Sequence, residues 1–227
     1  MTPHEIITAP YTIWTAPLGT AFPAVGEAPG ADWALLGTRG SRSVSQDGVA
    51  VQHLSQFTTS QTAGALGATF GFDTLGGMRV QVRLLDITLE QYAIALGGNA
   101  VTRTRPELET VGVRSIGLSR PRRAGAPFAV LVRGPSPYFG GQSAQYELPR
   151  CLETGGGADV VYRRGKPTGL ALQFLALEDP AATSEETRFG RLVAGYAVQL
   201  IEFEGSTQSG VLGFDGSEQS GTFAKED

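Results

Sequence analysis

The stretch Met78–Gly98, MRVQVRLLDITLEQYAIALGG, carries both secondary-structure periods of the chain side by side. Met78, Val80, Val82 and Leu84 alternate with Arg79, Gln81 and Arg83, which predicts a strand with one apolar and one polar face. Directly after it Leu85, Leu89, Tyr92 and Leu96 fall at helical spacing, and Gly97-Gly98 supplies a left-handed stop. Thr88-Leu89-Glu90-Gln91 has the form of a capping box, and Asp86 and Glu90 place negative charge at the start of a helix predicted over about residues 86–96. On a helical wheel Ile87 and Ile94 lie opposite the main stripe, so this short helix is apolar on two sides. Either a loop of the same chain or a neighbouring subunit has to cover the second side.

Upstream, Ile6–Ala16 reads as a Pro-interrupted edge strand with Trp14 toward a core, and Trp33–Leu36 as a second short strand. Between them lies a Pro- and Gly-rich loop running to Gly30. Residues 38–64 predict a long projecting hairpin or loop, with Asp47-Gly48 as a hairpin-type turn. Its far arm, Gln56–Gly64, is Ser, Thr and Gln around a single Phe57, a composition that orders poorly without a partner. Ala65–Phe72 resumes as a strand, and Gly76-Gly77 is expected to turn the chain into the stretch above.

Downstream, strands are expected around Val111–Ser119, Phe128–Arg133, Gln145–Cys151, Asp159–Arg163, Thr168–Leu177 and Leu192–Phe203. An acidic loop, Asp179–Thr187, separates the last two. The total of about nine or ten short strands with one helix predicts an all-β sandwich or barrel occupying residues 1–205, followed by a polar arm at 206–227.

A chain of 227 residues can bury a core without covalent staples, and its one cysteine, Cys151, has no partner within the chain. No apolar run has transmembrane length, and Pro3, Pro10 and Pro17 interrupt any signal-peptide core, so a soluble protein made in a cytosol is expected, with no membrane insertion. Charge is unevenly placed: residues 1–102 carry 4 basic and 7 acidic groups, 103–166 carry 11 and 5, and the remainder 3 and 10. An ordinary solvated surface accounts for that pattern, as do opposite-signed surfaces that meet head to tail between copies.

Chemistry finds little support. A nucleophile activated by a histidine would have to use His4 or His53, and His53 alternates with Val49 and Val51 as a strand residue. There is no Gly-x-Ser-x-Gly elbow, no His-x-x-x-His, no Cys pair and no calcium loop. Gly165-Lys166 fails as a phosphate loop, because Pro167 stands in place of Ser or Thr and Val160 in place of the first Gly. Glu153 with Asp159, or Glu185 with Glu186, are carboxylate pairs expected to be solvated. The arginines at 103, 105, 114, 120, 122, 123 and 133 lack the aromatic interleaving of a nucleic-acid groove, and the chain as a whole is acidic. These absences predict no catalytic residues, no metal and no cofactor.

Four segments, taken in order, resemble the major tail tube proteins of long-tailed (siphovirus-type) bacteriophages. They are Ala16-Pro-Leu-Gly-Thr-Ala-Phe-Pro23, Trp33-Ala-Leu-Leu-Gly37, Gln46-Asp47-Gly48-Val49, and Leu84-Leu-Asp-Ile-Thr-Leu-Glu90 leading to Ala95-Leu-Gly-Gly98. They cover about the first hundred residues; the second half is similar only in being strand-rich. The resemblance implies a β-sandwich or barrel with a flanking helix and a projecting loop. It implies a structural virion protein, not an enzyme, that self-assembles into hexameric rings stacked head to tail as a tail tube, the conduit for genome ejection. Its partners would be further copies of itself, the tape-measure protein, the tail terminator and distal tail proteins, and double-stranded DNA in transient, non-specific passage. Assembly would take place in the host bacterial cytoplasm. Gln46, Asp47, Gly48 and Phe57 would reach an adjacent ring, and Ile87 and Ile94 would lie at a subunit boundary.

One departure concerns the lumen, which this family tends to present as negative to DNA. Arg79, Gln81 and Arg83 would form either a lumen face of unusual sign or a seam where the arginines meet acids. Another ring-forming tail component, such as a terminator or distal tail protein, or the tube of a secretion machine, fits the same segments. A β-sandwich carbohydrate- or receptor-binding module would need clustered exposed aromatics, for which only Tyr138-Phe139 offers a start.

Overall fold

The computed structural model describes residues 11–60, 63–64, 66, 70–104, 112–120, 125–135, 143–155, 160 and 168–195, with 57 and 70–75 described in backbone only. The first part of the N-terminal strand, most of the strand expected at Asp159–Arg163, the late strand beyond residue 195, the arm at 206–227, His4, Asp159 and Tyr138-Phe139 lie outside the described residues.

Ten strands and one α-helix are described: β1 Thr12–Pro17, β2 Ala34–Leu35, β3 Val44–Ser60, β4 Phe70–Leu84, α1 Leu89–Ala95, β5 Val101–Thr104, β6 Val113–Ile116, β7 Phe128–Pro135, β8 Ser143–Glu153, β9 Leu170–Ala176 and β10 Arg191–Ala194. The class is all-β, as expected, but the strands form one eight-stranded antiparallel sheet in the order β2-β1-β7-β8-β9-β4-β3, with β10 also on β8. A separate ribbon pairs β5 with β6. β5 escapes the sequence reading because Val-Thr-Arg-Thr buries almost nothing and so shows no alternation.

The alternation in β4 is realised as read: Val80, Val82 and Leu84 are buried, while Arg79 and Gln81 are half-exposed and Arg83 is exposed. Across the ladder they meet Phe174, Leu172 and Leu170 of β9, all buried on the same face. Val130 and Val132 of β7, Leu148 and Cys151 of β8, and Ile13 of β1 extend this core. Helix α1 lies against it through Ala95, with Ile87, Tyr92 and Ile94 packed at its edge. Its start is capped as the sequence predicts: Thr88 Oγ1 accepts from Gln91 N (3.3 Å) and the Gln91 side chain from Thr88 N (3.4 Å).

Two turn signals are overruled. Asp47-Gly48 lies inside β3, where the ladder passes from Val44↔Leu84 to Val49↔Val82, five steps along β3 against two along β4. Gly48, at φ 73°, supplies the left-handed residue of this bulge rather than of a hairpin turn. Gly76-Gly77 continues β4 opposite Ser55 and Leu54. From Gly40 to Ser60 the chain is therefore a one-turn 3₁₀ segment, Gly40–Ser43, followed by a strand of 17 residues, not a loop. Its polar Gln56–Ser60 arm is ordered by the β4 ladder from Leu75 to Phe70.

Asp86 pins the 3₁₀ segment to the end of β4. Its Oδ2 accepts from Thr38 N (2.5 Å), from the Thr38 hydroxyl and from Ser43 Oγ (2.8 Å). Burial pushes the Asp86 carboxyl up, but these hydrogen bonds together outweigh it and hold it below its ordinary value. A depressed carboxyl contributes stability that is complete above the unfolded-state value of about 3.9 and is lost as pH falls through the folded one. Asp86→Asn is accordingly expected to lower the melting temperature at neutral pH and to flatten the loss of stability on acidification below about pH 4, read by thermal melts across a pH series.

Candidate assembly interface

β3 closes one side of the large sheet, and among the described residues no strand pairs with its outer edge. β9 pairs with β4 over Arg79–Leu84, so among the described strands β3 from His53 to Ser60 and β4 from Met78 back to Phe70 form ladders only with each other. The result is a two-stranded ribbon that runs past the end of β9. Its base is met by Phe189, whose ring edge is 3.6 Å from where a Cβ on Gly76 would stand.

The predicted contact residues separate on this frame. Gln46 and Asp47 are exposed beside the bulge with Gly48, and the backbone of Phe57 marks a second register shift at Gln56/Phe57. Ile87 and Ile94 are half-buried against the chain's own core, which supplies at least part of the cover their second apolar side requires. Arg79, Gln81 and Arg83 share the face of β4 opposite the core. Gln81 Nε2 donates to Gln173 Oε1 (2.8 Å), Arg79 Nε is buried without a partner, and Arg83 extends over Gly169. Asp47, Gly48, Ala50, Gln81, Arg83 and Gln173 line a shallow groove of ≈ 330 Å³ there.

His53 is exposed on β3 opposite Met78. Cys151 is fully buried, and burial pushes its thiol up to about 12, so it does not ionise at neutral pH. Glu153 is buried, not solvated: Arg120 Nη2 donates to its Oε2 (2.7 Å) and Gly155 N to its Oε1 (2.7 Å). Burial raises its carboxyl above the ordinary range, and these two donors offset that only in part. Glu185 is exposed and pairs with Arg188 (3.1 Å). No group of three or more His, Cys, Asp and Glu side chains is arranged for a metal ion among the described residues.

A polar network on the far side of the sheet escaped the sequence reading. Arg133 donates through Nε (2.9 Å) and Nη2 (2.6 Å) to Gln145 Oε1, and onward to the carbonyls of Ala24 (3.2 Å) and Glu27 (2.5 Å). Gln145 Nε2 donates to Pro23 O (2.8 Å) and Glu147 Oε1 (2.6 Å), while Arg191 Nε reaches Glu147 Oε2 (2.6 Å). The network, with the Phe22 ring tilted against that of Trp33 at 5.2 Å, fastens the Pro/Gly loop between β1 and β2 across β7 and β8. Gln145 and Glu147 alternate regularly along β8, but nothing local distinguishes a buried polar face from a wet one.

No helix among the described residues is long and apolar enough to cross a membrane. The chain matches no protein-family model and no curated protein sequence.

Proposed function

We propose that this protein is a self-assembling structural subunit, a tail tube protein that polymerises as stacked hexameric rings around a tape-measure protein and conducts double-stranded DNA without chemistry. The observation that carries the reading is the outer edge of β3, with which no strand pairs among the described residues. An edge strand can be extended by main-chain pairing with another chain, and single-chain proteins blunt such edges with Lys, Pro, bulges or a covering segment. From Val49 to Ser55, between its two register shifts, β3 contains no Lys, Arg or Pro. Its neighbour on the outer side would be a second copy of the chain, added by main-chain pairing as in β-augmentation.

The four segments that resemble tail tube proteins supply the finer part: rings, a tube, tail terminator and distal tail proteins as neighbours, and a place in the virion. Electron microscopy of the purified protein tests the reading. Rings or tubes about 100 Å wide, a rough size for six domains of this mass, are expected. A species that stays monomeric at high concentration and on seeding with isolated tails would overturn it.

A further inference from the structure

Within the self-assembly reading, on which this inference rests, charges of opposite sign stand at the two ends of β9, most of them without an ion pair among the described residues. At its start, where Leu170 pairs with Leu84, Arg83 is exposed, and the 3₁₀ segment fastened there by Asp86 adds exposed Arg39 and Arg42. Among the described residues none of the three arginines makes an ion pair. Asp86 beside them is held by Thr38 and Ser43, and Asp47 across the groove accepts from Ser45 Oγ (3.3 Å).

At the other end Ala176 leads into Glu178, Asp179, Glu185 and Glu186. Among the described residues their one cationic partner is Arg188, which pairs with Glu178 (3.3 Å) and Glu185 (3.1 Å) and leaves the segment negative. Glu185 stands almost fully clear of the surface, with a side chain 91% exposed.

β9 spans 7 residues, so about 20 Å of strand separates the patches. That is more than twice the screening length of about 8 Å at physiological salt, and neither patch neutralises the other within the chain. Opposite charges at two different places on one molecule favour a heterologous contact, in which each copy offers its acidic patch to the next copy's basic one and the series does not close on a pair. We propose that the segment Glu178–Glu186 of one copy docks on Arg39, Arg42 and Arg83 of the next. The polar end of β4 is then a seam between copies, which accounts for arginines that would be ill suited to a DNA-conducting lumen.

Two charge-reversed proteins test this. Arg39→Glu/Arg42→Glu/Arg83→Glu has acidic patches only, and Glu185→Arg/Glu186→Arg turns the acidic segment basic beside an unchanged basic patch. Each alone should raise the concentration needed for assembly at least about tenfold, and an equimolar mixture should restore it to within about threefold, because copies of the two kinds can alternate. Circular dichroism and melting of each variant before mixing establish that it is folded. Wild type that polymerises while both folded variants polymerise equally well overturns the proposal and leaves the assembly reading standing. Folded variants that fail both alone and mixed also overturn it. Wild type that never polymerises overturns the assembly reading itself, and the seam with it.

Discussion

Phe174→Ala is expected to lower the stability of the folded chain by about 3–5 kcal/mol, the range for removing a buried aromatic ring. Phe174 is completely buried in β9, opposite Val80 of β4 on one side and Glu153 of β8 on the other. Its ring meets that of Phe128 edge to face at 5.6 Å, a contact that contributes beyond the area it buries. Strands on both sides hold the backbone in place, so the site collapses little and most of the ring's volume remains as a cavity. Urea unfolding of the dilute, unassembled protein measures the effect. A midpoint shift equivalent to less than about 1 kcal/mol would mean that Phe174 is not in a rigid core.

Gly190→Ala should cost nearly as much, about 2–5 kcal/mol, for a different reason. Gly190 precedes β10 with φ 129°, where an L side chain is strained. A Cβ at this position would stand 2.2 Å from the carbonyl oxygen of Glu147 and 2.9 Å from Leu148 Cδ2. The first obstacle is backbone in the middle of β8, which cannot retreat without breaking its pairing with β7 at Leu131. β10 must instead leave β8, taking Arg191 away from the buried Glu147. Amide exchange should show protection lost first at Arg191–Ala194 and along β8, whereas uniform loss or none would place the strain elsewhere. Gly190 lies in a turn that reads in sequence as ordinary loop, and only the approach of β8 makes it irreplaceable.

Features set by near neighbours were legible in the residues themselves. The alternation of Val80, Val82 and Leu84 with Arg79, Gln81 and Arg83 follows from the two-residue strand period, and Thr88 and Gln91 close their cap within one turn of chain. The Asp47-Gly48 and Gly76-Gly77 signals misled because a glycine shows where the backbone is free to deviate without showing how it does so. In one case the freedom is taken up by a bulge and in the other by an extended strand beside Phe189. Of the predicted contact residues, Gln46 and Asp47 are free to meet a partner, while Ile87 and Ile94 are half claimed by the chain's own core.

By itself the sequence determined an all-β chain with one capped helix and a strand carrying arginines on its polar face, because periodicity and capping act over a few residues. Tertiary structure alone decided that no strand pairs with the outer edge of β3 among the described residues, that Gln145, Glu147 and Glu153 are buried, and that arginines without an ion pair among those residues and exposed acids sit at opposite ends of β9. Those features depend on which strand lies beside which. Pairing across 30 to more than 100 residues of chain, as between β1 and β7, leaves no local pattern from which it can be read.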